Sequence, residues 1–315
     1  MLKLLKIAKV VLLVSVLSVS GLFAGSARGA EYGTETYQSL LITAEWVKAN
    51  LENVVLIDAR PQALYKGQQG HLPGAVNAEW TYFANMNGQA GTPAYGAVLP
   101  YVDIVRKIGA LGIDGGKDVV VYGDGGDWGN AGWVVWILRM SGVRNALMMD
   151  GGFTVYRASG GKTSNRPAAN RQVAFGGRYD GSYLVDHVWM KQNYGKPEVK
   201  VVDVRHEDEY TGKIRLFDER RPGHIPGAIN LPWGSVYTDD FKILPEGQLA
   251  ALFEEAGFAD KNQTIVCYDT SGVRAAFMTM IFRLAGYPNA ACYNPSFLVW
   301  SADANTEVAQ GPNPF

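Results

Sequence analysis

One string of residues occurs twice in the chain: Gly70-His71-Leu72-Pro73-Gly74-Ala75-Val76-Asn77 recurs as Gly223-His224-Ile225-Pro226-Gly227-Ala228-Ile229-Asn230. Each copy follows an apolar run that ends in an acid and a base, Leu56-Ile57-Asp58-Ala59-Arg60 in the first half and Val202-Asp203-Val204-Arg205 in the second. Further along, Val119-Val120-Val121-Tyr122 matches Ile265-Val266-Cys267-Tyr268. Internal repetition at matched positions indicates two copies of one domain.

Short apolar runs rich in β-branched residues alternate with helical stretches in both halves. We predict strands at residues 54–58, 119–122, 201–204 and 265–268, and helices at residues 44–50, 102–111, 132–140, 249–256 and 275–284. This alternation predicts an α/β fold, with parallel sheets covered by helices on both faces. The two domains are expected at residues 35–162 and 171–308. The polar residues 163–170 are the predicted linker.

The first thirty residues have the features of a signal peptide. Three lysines precede an apolar run at residues 10–23, and Ala27-Arg28-Gly29 offers small residues for cleavage. We therefore expect an exported protein, periplasmic or secreted, with no membrane attachment after cleavage. A retained membrane anchor is the alternative.

Charge and histidine spacing exclude several kinds of partner. With 29 Lys+Arg against 30 Asp+Glu, the chain has no overall basic character that would favour nucleic acid or an anionic membrane surface. His187 and His206 are not spaced with any Cys or carboxylate as metal ligands, so we predict neither a metal site nor a cofactor. A small molecule or a partner protein is the expected ligand.

A short polar loop follows the last of the predicted strands at residues 265–268. It contains Asp269-Thr270-Ser271-Gly272-Val273-Arg274 and precedes a predicted helix. Backbone N–H groups in such a turn point inward and carry partial positive charge, so the loop is a candidate anion cradle. Arg274, in the first helical turn, would add a forked cationic donor.

This segment consists of a strand, a six-residue loop that ends in Arg, and a helix. It resembles the active-site loop of rhodanese-type sulfurtransferases. The two His-φ-Pro-Gly-Ala strings, where φ is an apolar residue, resemble this family's signature as well. The resemblance covers nearly everything after residue 35 and identifies the chain as a tandem rhodanese of the thiosulfate or 3-mercaptopyruvate sulfurtransferase type. It implies two domains with mainly parallel five-stranded sheets and a small anionic sulfur compound as substrate.

The family's reaction passes through a cysteine persulfide, and this cysteine opens the loop. Asp269 occupies that position here, and the first copy has Gly123 followed by the expanded loop at residues 124–130. Cys267 lies two residues before Asp269 and has three possible roles: a buried core residue, half of a disulfide with Cys292, or an alternative persulfide carrier.

The second copy contains an insert at residues 211–221 that the first lacks. In tandem members of the family, a similar arginine-bearing segment faces the mouth of the active site. The resemblance therefore makes Arg215, Arg220 and Arg221 candidate substrate contacts, while a solvated charged loop is the alternative. Other polar residues of the repeats are expected to be structural: the Asp-Arg pairs hold the following loops, and His71 and His224 pack inside them.

Two hypotheses of different classes follow. The chain is either an exported sulfurtransferase with a nonstandard nucleophile, or a catalytically silent rhodanese module that binds an anion or a partner protein. Phosphatase chemistry on a related loop also needs the missing cysteine. Trp128, Trp133 and Trp136, near the first-copy loop, are expected to pack in the core, and the rim of a pocket is the alternative.

Overall fold

The structure is a computed structural model that describes residues 37–88, 92, 94–169, 172–216 and 219–314. The predicted signal peptide at residues 1–30 lies outside these ranges. Within the part of the chain that is described, no helix is both long enough and apolar enough to cross a membrane.

The first domain is built on a parallel sheet of five strands in the order β1-β5-β4-β2-β3. The strands are β1 (Leu41–Ile42), β2 (Val55–Asp58), β3 (Val76–Asn77), β4 (Val119–Tyr122) and β5 (Ala146–Met149). The helices are α1 (Tyr37–Leu40), α2 (Ala44–Asn50), α3 (Gln62–Tyr65), α4 (Tyr101–Ala110), α5 (Asn130–Met140) and α6 (Gly152–Ala158).

The second domain repeats this sheet in the order β6-β10-β9-β7-β8, again with parallel pairing. Its strands are β6 (Leu184–Val185), β7 (Val199–Asp203), β8 (Ile229–Asn230), β9 (Thr264–Tyr268) and β10 (Ala290–Tyr293). Its helices are α7 (His187–Asn193), α8 (Glu207–Tyr210), α9 (Glu246–Glu255), α10 (Val273–Leu284) and α11 (Ser296–Ala302).

Side chains alternate between the two faces of each sheet, as expected for strands buried on both sides. In β4, Val119 and Val121 pack with residues of α4 and α5, whereas Val120 and Tyr122 pack with residues of α2 and α6. In the second domain α9 and α10 cover one face, while α7, α8 and α11 cover the other. The predicted α/β class and the helices on both faces are confirmed.

The two domains meet along α5 and α10, which contribute to one continuous core. A Cβ atom on Gly132 would lie 2.6 Å from the Phe277 ring, so glycine permits this close approach. Among the hydrogen bonds that cross the interface, two form a reciprocal pattern. The Val98 N–H donates to Asn294 Oδ1 at 3.0 Å, and the Ile243 N–H donates to Asp150 Oδ1 at 2.8 Å.

An extended segment after each domain returns to the repeated string. Ser164, in the predicted linker, forms an antiparallel bridge with His71 of the first domain. Ala309 forms the same bridge with His224 in the second domain, and the Gly227 N–H donates to the Pro314 carbonyl at 2.6 Å. Each domain is thereby closed by residues that follow its last helix.

Candidate functional site

Buried charges anchor the repeated string in both domains. Arg205 donates from Nε and Nη2 to the two oxygens of Asp203, at 3.0 and 2.6 Å, and from Nη2 to the Gly223 carbonyl at 2.7 Å. The Tyr268 hydroxyl donates to the same carboxylate at 2.6 Å. The first domain has the matching residues Asp58, Arg60, Gly70 and Tyr122. This geometry agrees with the predicted structural role of the Asp-Arg pairs.

The histidine of each repeated string packs inside its own loop. The His224 ring stacks on Tyr210 at a centroid distance of 3.8 Å, and its Nδ1 lies 2.9 Å from the Tyr210 carbonyl. His71 makes the same two contacts with Tyr65, at 3.9 and 3.0 Å. Both histidines are buried, so the expectation that they pack in these loops is confirmed.

His187 contributes to a separate polar cluster at the edge of the second domain. Its Nδ1 lies 2.6 Å from the Tyr293 hydroxyl, and its Nε2 lies 3.0 Å from Asp303, which also accepts from Lys191. These contacts join α7 to β10 and to the end of α11. Among the residues that the structure describes, no group of three or more His, Cys, Asp and Glu could hold a metal ion.

The loop at residues 269–272 leads from the end of β9 to the start of α10, at the carboxyl edge of the sheet. Gly272 has φ 103°, and a Cβ atom there would lie 2.6 Å from the Asn294 carbonyl oxygen. Glycine is required at this position by both the backbone conformation and the space. The turn directs the N–H groups of residues 272 and 274 toward the Asp269 side chain, at the position of the predicted anion cradle.

Asp269 fills this cradle with its own carboxylate. Oδ1 accepts hydrogen bonds from the Gly272 N–H and from the Ser296 hydroxyl, the second at 3.1 Å. Oδ2 accepts from the backbone N–H and from Nε of Arg274, both at 3.2 Å. Asp269 is only 2% exposed. Its carboxylate therefore occupies the place where the loop would otherwise hold an external anion or a thiolate.

The Arg274 guanidinium is bound within the protein as well. Nη1 and Nη2 each donate to one oxygen of Glu209 at 2.9 Å, and Nη2 donates to the Thr270 hydroxyl at 3.0 Å. Burial opposes the charge on Arg274, but hydrogen bonding to Glu209 and the charges of Asp269 and Glu209 outweigh it and raise its pKa. The carboxylates of Glu209 and Asp269 thus neutralise the Arg274 guanidinium. Of the remaining loop residues, Ser271 is partly exposed and Val273 packs in the core.

The insert at residues 211–221 brings a carboxyl group toward the site. Glu219 is 1% exposed and accepts from Arg205 Nη1 at 3.3 Å. Burial raises the pKa of the Glu219 carboxyl, although the nearby Arg205 charge acts in the opposite direction. In the sequence, Glu219 lies among other charged residues of the insert, and charge patterning does not separate a buried carboxyl group from exposed ones.

The three arginines of the insert have different positions, and the expectation for Arg221 is wrong. Its guanidinium donates to the carbonyls of Trp300, Ser301, Asp303 and Thr306, at distances from 2.6 to 2.9 Å, instead of facing a substrate. Carbonyl oxygens at the end of α11 need such donors, which explains the arrangement. Arg215 and Arg220 are exposed, and Arg215 Nη1 donates to the Arg220 carbonyl at 3.3 Å.

Replacing Arg221 by alanine is expected to lower the free energy of unfolding by about 3 kcal/mol, because several carbonyls at the end of α11 lose a charged donor. Thermal or urea unfolding measures the loss. Arg220→Ala is the matched control, since that side chain is exposed and should change the stability by less than about 0.5 kcal/mol. Equal effects of the two substitutions would contradict the assigned role of Arg221.

Both cysteines are buried in the core of the second domain. Cys267 in β9 lies directly opposite Cys292 in β10, so the strands that carry the two cysteines are neighbours in the sheet. The thiols are free in this structure, which does not contain the disulfide considered from the sequence. Burial raises the pKa of each thiol, and the Asp269 charge acts in the same direction. Neither side chain meets the requirement of an exposed, easily ionised nucleophile.

The first domain contains a second carboxylate that is held by its own loop, and the sequence analysis missed it. Asp127 lies between β4 and α5; its Oδ1 accepts from the N–H groups of Gly129 and Asn130 at 2.7 and 3.1 Å, and its Oδ2 accepts from the Asp124 N–H at 3.0 Å. Burial raises the pKa of Asp127, while these three N–H groups act in the opposite direction. Asp127 corresponds to Asp269 in that each follows the central strand of its domain, β4 or β9. The first loop is longer, so a residue-by-residue comparison of the two loops does not align the two aspartates.

The tryptophans near this first loop separate into two groups. Trp133 and Trp136 are fully buried, as expected for core residues. Trp128 is 49% exposed, and its ring lies 5.4 Å from the Arg274 guanidinium of the second domain. The expectation of core packing is therefore wrong for Trp128, which lies beside the second loop.

The chain resembles known proteins along most of its length. The rhodanese-like domain matches residues 43–159 and 186–303. A putative thiosulfate sulfurtransferase SseB of Mycobacterium tuberculosis is 31% identical over 249 residues, which is 77% of this chain and 84% of the relative. A probable 3-mercaptopyruvate sulfurtransferase of Pseudomonas aeruginosa is 29% identical over 252 residues, covering 78% and 86%.

A relative with a different description and a solved structure extend the comparison. The sulfur carrier protein TtuD of Thermus thermophilus is 26% identical over 296 residues, covering 87% of this chain and 98% of the relative. The anaerobic ergothioneine biosynthesis enzyme of Chlorobium limicola shares the fold, with a TM-score of 0.77 at 18% identity over 88% of this chain and 71% of that one. The rhodanese-like domain matches this chain twice, and the two matches together cover most of the chain. The chain therefore belongs to the rhodanese-like family, as a tandem member.

Proposed function

We propose that this chain is an exported rhodanese-fold binding protein in which sulfur transfer through a persulfide has been lost. The observation that carries the proposal is the Asp269 carboxylate, which is bound by the Gly272 and Arg274 N–H groups of its own loop. A carboxylate cannot carry the sulfane sulfur, since persulfide chemistry needs a thiolate. The predicted leader at residues 1–30 supports export.

The charges around the loop also disfavour the family's anionic donors. Four buried carboxyl groups surround two buried guanidinium groups, which belong to Arg205 and Arg274. The carboxyl groups are those of Asp203, Glu209, Glu219 and Asp269. A thiosulfate or mercaptopyruvate anion would enter a site where carboxyl groups outnumber cations, which raises the free energy of binding.

A protein partner suits the exposed mouth of this loop better. The Trp128 ring is half exposed beside Arg274, and Arg215 and Arg220 of the insert are exposed. Tryptophan and arginine are enriched at protein interfaces, where they contribute much of the binding energy. We propose that a segment of another exported protein binds here, over the exposed Trp128 ring.

The alternative is a sulfurtransferase that uses Cys267, and the names of two relatives favour it: they are described as sulfurtransferases at 31% and 29% identity. Its difficulty is the burial of the thiol, which raises the pKa and prevents contact with a donor. The two hypotheses differ in what they predict for the wild-type protein.

Turnover assays on the purified mature protein distinguish them. With thiosulfate and cyanide, or with 3-mercaptopyruvate and cyanide, we expect no thiocyanate above the rate without protein. Cys267→Ser should behave like the wild type, Cys292→Ser is its matched control as a second buried thiol, and the Pseudomonas aeruginosa relative serves as the positive control. Wild-type turnover that Cys267→Ser abolishes and Cys292→Ser leaves intact would establish the alternative.

A further inference from the structure

A cleft of about 390 Å³ lies where the first-domain loop meets the second domain. Three aromatic rings line it, those of Trp233, Tyr237 and Phe241, together with Asp239 and backbone of Gly126. Its size falls within the range of small-molecule sites. No residue of the Asp269 loop lines the cleft, and the proposed function does not use its lining residues.

The aromatic rings are arranged as neighbouring walls. The Trp233 and Tyr237 rings are nearly perpendicular, with an interplanar angle of 84° and a centroid distance of 5.9 Å. Tyr237 is held in turn by stacking on Phe277 of α10, with centroids 5.4 Å apart. Stacking on Phe277 covers one face of the Tyr237 ring and fixes its position, so a ligand in the cleft can contact only the remaining parts of these rings.

Phe241 closes the cleft from a strained backbone position. It has φ 60°, a conformation that bulky residues seldom adopt, and its side chain is 43% exposed. A tight turn holds it there, since the Phe241 N–H donates to the Thr238 carbonyl at 3.0 Å and the Lys242 N–H donates to the Thr238 hydroxyl at 3.1 Å. Strain of this kind is concentrated at ligand sites, where the surrounding structure maintains it.

Glycines of the first domain make room for this ring. A Cβ atom on Gly125 would lie 2.5 Å from the Phe241 side chain, and one on Gly126 would lie 2.9 Å from its ring. The close contact fixes Phe241 between the two domains. The aromatic wall is therefore preorganised before any ligand enters.

The charges at this cleft are negative. Asp239 lines it and is exposed, while Asp127 and Asp150 line a small adjoining cavity of about 30 Å³ that shares Tyr237 and Phe241 with it. Among the lining residues, all of which the structure describes, there is no lysine or arginine. The nearby Lys242 is paired with Asp240 at 2.7 Å. Aromatic rings and the exposed Asp239 carboxylate together favour an organic cation over an anion.

We propose that this cleft binds a small organic cation of the quaternary ammonium class. The exposed ring of Phe241, with the parts of Tyr237 and Trp233 that line the cleft, would contact the alkyl groups around the positive nitrogen, and Asp239 would supply the opposite charge at the rim. No bond is made or broken in this binding.

Calorimetric titration with choline tests the proposal, with 3,3-dimethylbutan-1-ol as the uncharged molecule of the same shape. We expect saturable binding of choline to the wild-type protein, and binding of the alcohol that is at least about tenfold weaker. If choline does not bind saturably, or the alcohol binds equally well, the cleft is not a cation site and the proposal is overturned.

Two variants locate the binding. Phe241→Ala should weaken choline binding by about tenfold, and Asp239→Asn by about threefold to tenfold. Val188→Ala is the control, because this exposed residue of α7 does not line the cleft and should leave the affinity unchanged. If Phe241→Ala fails to fold, Asp239→Asn still decides, because Asp239 is exposed; unchanged affinity in that variant contradicts the assigned site.

Discussion

Replacing Asp269 by cysteine is expected to create thiosulfate:cyanide sulfurtransferase activity, at about 100-fold or more above the wild-type background. The substitution places a thiol where the Gly272 N–H, the Arg274 N–H and the Arg274 guanidinium now hold a carboxylate. These donors would stabilise the thiolate, and the smaller cysteine side chain leaves space for the transferred sulfur. The rate of thiocyanate formation measures the gain.

Asp269→Ser is the matched control for this gain, because serine has a similar size and cannot form a persulfide. It should remain inactive, and combining Asp269→Cys with Cys267→Ser should preserve the new activity. If Asp269→Cys folds normally but neither gains activity nor accepts sulfur from thiosulfate, then the loop is not an intact sulfurtransferase cradle, and the assignment of Asp269 to the cysteine position is wrong.

Arg274→Ala is expected to lower the free energy of unfolding by about 3–5 kcal/mol, because it leaves buried carboxylates without their cation. Arg274 binds Glu209 at 2.9 Å and Asp269 at 3.2 Å, and all three side chains are 2% exposed or less. Chemical denaturation measures the loss. The variant with both Arg274→Leu and Glu209→Leu should be more stable than the variant with Arg274→Leu alone, since the second substitution removes one of the unpaired buried charges.

The pair of Arg106 and Asp103 supplies the comparison for that experiment. It is also an Arg-Asp contact at 2.9 Å, but its side chains are 68% and 38% exposed. Arg106→Ala should therefore change the stability by less than about 1 kcal/mol, since water screens the pair and replaces it. Similar losses for Arg106→Ala and Arg274→Ala would show that the buried cluster does not stabilise the loop.

The sequence predicts most of the fold because its signals are local and repeated. The strand predicted at residues 119–122 has the bounds of β4, and the helix predicted at residues 44–50 has those of α2. Strand β5 was not predicted, and neither were β1, β3, β6 and β8, because a two-residue strand has too few positions to show a periodic pattern. Several helices begin up to three residues before the predicted start. Helix α9 begins at Glu246, directly after a proline, whereas the predicted start was residue 249.

Less of the candidate site could be predicted from the sequence, because the contacts that define it join segments that are distant along the chain. Position alone identifies Asp269 and Arg274, but the pairing of Arg274 with Glu209 depends on how α8 packs beside α10. Arg221 and Glu219 lie within the same insert and point to different places, which charge patterning cannot resolve. The contact of Trp128 with Arg274 crosses between domains, so no local pattern reveals it.

In the function proposed for this chain, Asp269 has replaced the persulfide carrier and no other thiol substitutes for it. Intact-mass spectrometry after incubation with thiosulfate, with peptide mapping of any adduct, tests this most directly. We predict no added sulfur on the wild-type protein and one added sulfur atom at residue 269 in Asp269→Cys. A persulfide on Cys267 or Cys292 of the folded wild-type protein would contradict the account, because it would show that a buried thiol serves as the nucleophile.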